Sequence, residues 1–167
     1  MTGMTPAQPV VKRTARAILL DEADRLVVIK RTKPGRPPYW ITPGGGVEPT
    51  DATVLDALHR EVFEELGAEI TDVVPAFVDT VPCTQDDGDG LPPGLKVQHF
   101  FVCRLVSMDL SLRHGPEVEA PRGTYEIVRL PFTPEGLASV DVVPSSLSRY
   151  LAANVPGIRA LLARDFA

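Results

Sequence analysis

"PGGGVEPTDATVLDALHREVFEELGA", residues 43–68, decides how the rest of the chain is read. Its opening, Pro43 to Gly46, belongs to a stretch from Lys33 to Pro49 too rich in Pro and Gly to stay regular for long. From about Thr53 the pattern turns helical, with Leu55, Leu58, Val62 and Leu66 forming one apolar stripe over residues 53–66. Asp51 or Thr53 can cap the start of that helix, and Gly67 is placed to end it. Beside the stripe, Glu61, Glu64 and Glu65 stand at i, i+3 and i+4, on one face. Like charges so placed repel, each pair costing roughly 0.2–0.5 kcal/mol. A bound cation would remove that repulsion, and solvent alone is the plainer alternative. The glycines permit close backbone approach, so a loop carbonyl can join the carboxylates. An all-oxygen donor set suits Mg²⁺ or Mn²⁺ and not zinc. Arg60, four residues before Glu64, can pair with that carboxylate and fix its orientation.

Working outward, "TARAILLDEADRLVVIKRT" (14–32) predicts two strands around an acidic turn. Further strands are expected at "DVVPAFVDTV" (72–81), "VQHFFVCRLV" (97–106) and "TYEIVRLP" (124–131), with a long loop, 82–96, between the first two. The C-terminal stretch has helical spacing at Leu147 and Leu151, and again at Ile158, Leu161 and Leu162. With no repeat and no linker, the expectation is one α+β domain over residues 13–167, after a loose N-terminal tail, 1–12.

The composition narrows the function. The 167 residues are 44% hydrophobic and 23% charged, which describes a globular chain. The net charge of −5 argues against general nucleic-acid binding. That charge is uneven: residues 1–36 hold eight of the 17 Lys and Arg against three acids, which suggests a local site for an anion. No apolar run reaches the roughly 18 residues of a membrane span, and "MTGMTPAQPVVKRTAR" lacks a secretory apolar core, so no membrane association is expected. Cys83 and Cys103 lack metal-ligand spacing and fit idle thiols in a reducing cytoplasm. His59 and His99 likewise have no metal-like partner spacing and are read as core or surface packing residues.

Residues 45–68 resemble the Nudix box: a Gly, five residues, a Glu, seven residues, then Arg-Glu-apolar-any-Glu-Glu-any-Gly-apolar. "REVFEELGA" (60–68) matches its second half throughout. The first half departs from it. Five residues on from Gly45 stands Asp51, not Glu, and eight residues, not seven, separate Asp51 from Arg60. One extra residue in the loop ahead of the helix would keep the helical ligands in register, with the role of Asp51 left open.

The resemblance implies a Nudix-like mixed β-sheet sandwiched between helices. It also implies a metal-dependent pyrophosphohydrolase that cleaves a nucleoside diphosphate linked to another moiety by water attack at phosphorus. Glu61, Glu64, Glu65 and the Gly44 carbonyl would then hold Mg²⁺ (or Mn²⁺), with Arg60 as orienting partner and Glu61 as ligand or base. Many relatives take their base from a later Glu, and Glu117, Glu119 and Glu126 are available, with Glu117 favoured because a Gly-Pro turn precedes it. Arg13, Arg16, Arg31 and Lys33 are candidate phosphate contacts. Trp40 is placed either to stack on a base or to pack the core. The expected partner is a small nucleotide-type molecule, and a homodimer stays open. A Nudix-like sensing module without turnover is the alternative, favoured only by the altered Asp51 region. An isoprenoid-diphosphate isomerase would need a Cys ahead of the box, and none precedes Cys83.

Overall fold

The structure is a computed structural model that describes residues 3, 7–83, 90–115 and 123–163. Its framework is a seven-stranded mixed sheet, with a main path in the order β3-β2-β1-β6-β5. The strands are β1 (Val10–Leu20), β2 (Arg25–Thr32), β3 (Tyr39–Ile41), β4 (Gly44–Gly46), β5 (Ala68–Cys83), β6 (Gly94–Met108) and β7 (Thr124–Pro131). Among the described residues the α-helices are, in the same chain order, α1 (Val54–Leu66), α2 (Pro134–Ala138) and α3 (Ser145–Leu162). The α+β expectation holds, and the predicted strands are all present. β5 and β6 run longer at both ends than their apolar runs suggested. Val10, Val11 and Lys12, expected in the tail, are instead the first residues of β1.

β1 organises the molecule. It runs parallel to β6 from Val10↔Leu95 to Leu20↔Arg104, and antiparallel to β4 and to the start of β2. Successive strand residues face opposite sides. Ile18 and Leu20 therefore join a core with Leu26, Val28, Phe100 and Val102 under Leu147, Leu151, Val155 and Ile158 of α3. Ala15, Ala17 and Leu19 join the opposite core, with Val27, Ile29 and Cys103 under Ala57, Leu58, Val62 and Leu66 of α1. The sheet is thus covered by α1 on one face and α3 on the other.

Thr53 caps α1 by accepting from the Asp56 N–H at 3.0 Å, and Gly67 ends it at φ 59°, a left-handed conformation that costs glycine little. Leu55 is a correction: it is 41% exposed, and the buried face carries Ala57, Glu61 and Glu65 alongside Leu58, Val62 and Leu66. His59 is exposed, on the surface side of the two placements expected for it. The two helical stretches near the C-terminus form one helix with a kink, where Asn154 leaves helical geometry at φ −126°. Pro156 brings no N–H for the helical ladder, and the Asn154 amide donates to the Tyr150 carbonyl at 2.8 Å. The acidic turn after β1 is built on Asp21, which is fully buried. It accepts from the Ala23 and Arg25 N–H groups and from the Arg25 and Arg129 guanidiniums. Burial pushes its carboxyl up, but the Arg25 and Ala23 N–H groups and the two guanidiniums outweigh this and hold it below the usual range.

Candidate active site

The site lies where β4 meets α1. Pairing β4 with β1 brings Gly44 opposite Arg16, Gly45 opposite Ala15 and Gly46 opposite Thr14. At Gly44 and Gly45 the packing leaves no room for a side chain. A Cβ on Gly44, whose φ is 145°, would lie 2.0 Å from the Ala15 carbonyl oxygen. A Cβ on Gly45 would lie 2.6 Å from the Glu61 carboxylate. The glycines therefore let the acidic face of α1 rest directly on backbone.

Glu61 and Glu65 are only 5% and 6% exposed, and the Gly44 N–H donates to Glu65 at 3.2 Å. Burying carboxylates is costly unless cations and donors compensate, and here Arg60 does much of this. Its Nε and Nη2 donate to the two oxygens of Asp51 at 2.9 and 2.8 Å, and Nη2 also donates to the Gly46 carbonyl at 3.0 Å. Its Nη1 reaches Glu61 at 3.0 Å and Glu64 at 3.3 Å. Glu48 lies 3.7 Å from the same nitrogen. The side-chain bond to Asp51, then the bond to Glu61 and the charges of both acids, raise the already high pKa of Arg60 despite its partial burial.

The role of Asp51 is thereby defined. It does not cap α1; it clamps Arg60 in a two-bond fork and also accepts from the Glu48 N–H at 2.8 Å. The Arg60 guanidinium, followed by the Glu48 N–H, brings the Asp51 carboxyl down to about 2. Asp is one methylene shorter than Glu, and the extra residue before the helix accompanies a shorter acid that still reaches Arg60.

The other end of α1 is fastened by the chain leaving β6. Arg113 Nε donates to the Glu65 carbonyl at 2.7 Å, the His114 N–H to the Glu64 carbonyl at 2.9 Å, and the Asp109 N–H to the Gly67 carbonyl at 3.0 Å. These satisfy carbonyls that the last turn of a helix cannot pair internally. Gly115 sits against Glu64: a Cβ there would be 3.3 Å from its carboxylate. Glu117 and Glu119, both considered as bases, lie outside the described residues. Glu126 is exposed on β7 opposite Lys30, on the strand face away from Tyr125 and Ile127, which pack toward α1. It therefore does not face the α1 carboxylates.

The expected phosphate contacts are dispersed. Arg16 adjoins the site, donating through Nη1 to the carbonyls of Thr42 at 3.3 Å and Gly44 at 3.1 Å. The Gly44 carbonyl, expected to face a metal, thus accepts from Arg16. Arg13 is near the box loop through its carbonyl, which accepts from the Val47 N–H, while its guanidinium contacts His99 at 3.1 Å. Burial, then the Arg13 charge, lower the His99 pKa. Lys12 and Arg13 line an open cleft of about 480 Å³ with Gly46, Val47 and Glu48. Arg31 lies elsewhere, 4.0 Å over the Tyr125 ring and 6.0 Å from that of Tyr39, at the β2–β3–β7 end of the sheet. Lys33 follows β2 at that same end. Trp40 packs against the α3-side core, with Lys30 5.6 Å above its ring. Sequence reasoning missed Gln98, a polar residue alternating with Phe100 and Val102 on an inward strand face and only 8% exposed. That interruption of the apolar alternation was the available signal.

These features define an α–β–α domain whose concentrated carboxylates sit on one helix at the edge of a Gly-lined backbone cradle. The model of the NUDIX domain matches residues 11–138. The chain belongs to that family and is a hydrolase acting on phosphoanhydride bonds. A NUDIX hydrolase from Nitrosomonas europaea is similar in structure, with a TM-score of 0.60 at 17% identity over 90% of this chain and 88% of that one. The MutT protein from Methanosarcina mazei Go1 gives 0.53 at 19% identity, over 93% and 99%. A MutT NUDIX hydrolase from Burkholderia pseudomallei gives 0.52 at 20% identity, over 84% and 94%. At these identities the likeness concerns the fold. The curated proteins contain no match to this chain.

Proposed function

We propose that the protein hydrolyses a nucleoside diphosphate or triphosphate derivative within its phosphate chain, with a divalent cation, Mg²⁺ or Mn²⁺, held at Glu61, Glu64 and Glu65. The observation that carries this reading is the pair of buried carboxylates, Glu61 and Glu65, pressed on a backbone cradle with Glu64 beside them. Among the described residues, no three acid, His or Cys side chains stand arranged as a metal cage, since Arg60 Nη1 bridges Glu61 and Glu64. The donor chemistry nonetheless fits a hard cation: every side-chain ligand is a carboxylate oxygen. Arg60 would stay in place when Glu61 and Glu64 turn, because Asp51 and the Gly46 carbonyl hold its Nε and Nη2. A bound cation would neutralise phosphate charge and polarise the phosphorus under attack.

The chain's own residues do the rest. Arg16, one strand from Gly44, is placed to steady the phosphates, and Arg13 and Lys12 offer positive charge in the adjoining cleft. Glu117 is the base in this reading, taking a proton from the attacking water as its oxygen bonds to phosphorus and the bridging oxygen leaves. A Cβ on Gly115, two residues earlier, would lie 3.3 Å from the Glu64 carboxylate, which supports the choice. Arg31, Lys33 and Trp40 would meet only a distal part of the substrate.

The test is product analysis on nucleoside triphosphates, ADP-ribose and dinucleoside polyphosphates with and without Mg²⁺ or Mn²⁺. The expected result is cation-dependent release of a nucleoside monophosphate, with kcat falling by about a hundredfold or more in Glu65→Gln. Cation-independent turnover, or no turnover over the whole panel, would refute the reading.

A further inference from the structure

On the α3 side of the sheet, Arg16, Gln98 and Phe100 floor a cavity of about 200 Å³, walled by Ile41, Thr42, Val143 and Pro144. Sites for whole drug-sized ligands run to roughly 300–1,000 Å³. This one has room for a ring system, not a complete nucleotide. Its position follows from the sheet register. One row of paired residues runs Gly44, Arg16, Phe100, Phe77, and the next runs Gly46, Thr14, Gln98, Asp79. Strands lie about 4.8 Å apart, so Phe100 is roughly 10 Å across the sheet from Gly44. A ligand with phosphates at Gly44 and Arg16 would bring its base over Phe100 and Gln98.

The floor is preorganised. Phe100 is stacked on Phe77 at 4.6 Å and 7°, and Phe77 also meets Tyr150 at 4.5 Å, so the ring has a fixed plane. Gln98 is buried, and its Nε2 donates to Asp79 across the strand pair at 3.4 Å. A carboxylate can only accept. Asp79 therefore holds the amide with its NH₂ toward β5, leaving the carbonyl oxygen as the group Gln98 offers to a ligand.

We infer that Gln98 is the base-reading residue of this hydrolase: its Oε1 accepts an N–H from the edge of a nucleobase lying in the Arg16–Gln98–Phe100 cavity. Substrates with an exocyclic amino group at that edge are preferred over analogues lacking it. The inference rests on the nucleotide-hydrolase reading but is tested separately from it. A site that hydrogen-bonds a ligand group discriminates sharply against the analogue without that group, because its own polar atom is then left unpaired.

The experiment compares adenosine with purine riboside, and guanosine with inosine, as triphosphates for turnover and as monophosphates for binding by calorimetry. For at least one pair, the parent protein should favour the amino-bearing member by about tenfold or more in both measurements. Gln98→Met, close in shape but without the acceptor, should bring that ratio to near one by weakening the amino-bearing ligand. Asp79→Ala, on the edge strand, should reduce the ratio even if Gln98→Met fails to fold. Equal handling of both pairs by the parent protein, or an unchanged ratio in the variants, overturns the inference. Discrimination in binding without any turnover would sink the hydrolase reading and keep this one.

Discussion

Replacing Asp51 tests the joint between the Gly-rich loop and the acidic helix. Asp51→Ala removes two charge-assisted bonds to Arg60 and the acceptor for the Glu48 N–H. The Asp51 side chain is 6% exposed and that of Arg60 is 23% exposed, so the pair lies between the surface and buried limits. Exposed pairs contribute about 0–1 kcal/mol, and breaking buried ones costs about 3–5 kcal/mol, which places this loss near 2 kcal/mol. For a domain of this size, that lowers Tm by roughly 4–8 °C. Activity should fall further than stability alone explains, because Arg60 also touches Glu61 and Glu64. The decisive variants are Asp51→Glu, deletion of Ala52, and the two combined. Each single change alters the reach between loop and Arg60, while the combination exchanges one methylene of side chain for one residue of backbone. Differential scanning fluorimetry and steady-state kinetics should show losses in both single variants and recovery of most of Tm and kcat in the double. A double variant whose losses simply add, or Asp51→Ala melting within about 1 °C of the parent, would refute this account of the insertion.

Three further outcomes are expected. Gly45→Ala, which sets a methyl 2.6 Å from the Glu61 carboxylate, should weaken Mn²⁺ binding in calorimetry and lower kcat, with little change in circular dichroism. The pKa of Asp51 is about 2 in the folded protein, below the ordinary 3.8. Its stabilising effect is therefore complete above the unfolded value and lost as pH falls through the folded one. Urea titrations should show the parent losing more stability than Asp51→Asn between about pH 4 and pH 2. Burial pushes the Cys103 thiol up to about 12, so at pH 8 a thiol reagent should modify Cys83 in the native protein and reach Cys103 only after unfolding; prompt reaction of both would contradict the packing beneath α1.

The fold was legible wherever apolar periodicity is local. The hairpin at 14–32, the helix at 53–66 and the strand at 124–131 all follow from alternation or helical spacing, with Gly67 marking a stop. What could not be read are the consequences of partners distant in sequence. Leu55 fits the apolar stripe by spacing yet is exposed, while Glu61 and Glu65 are buried because β4 lies across them. The box revealed Arg60 beside Glu64 but not that Asp51 grips it, since that depends on how the loop folds back. Arg13, Arg16, Arg31 and Lys33 looked alike as basic residues. Strand register separates them, placing Arg16 beside Gly44 and Arg31 between two tyrosines.

The fastening of the C-terminal end of α1 has a practical meaning for mutagenesis. Asp109, Arg113 and His114 attach to the carbonyls of Gly67, Glu65 and Glu64, so the attachment to α1 uses main chain and is indifferent to the side chains carried there. Exchanging Glu64 or Glu65 for Gln leaves every one of those acceptors intact. A loss of turnover in such variants is then not explained by release of the 109–114 segment from the main chain of α1.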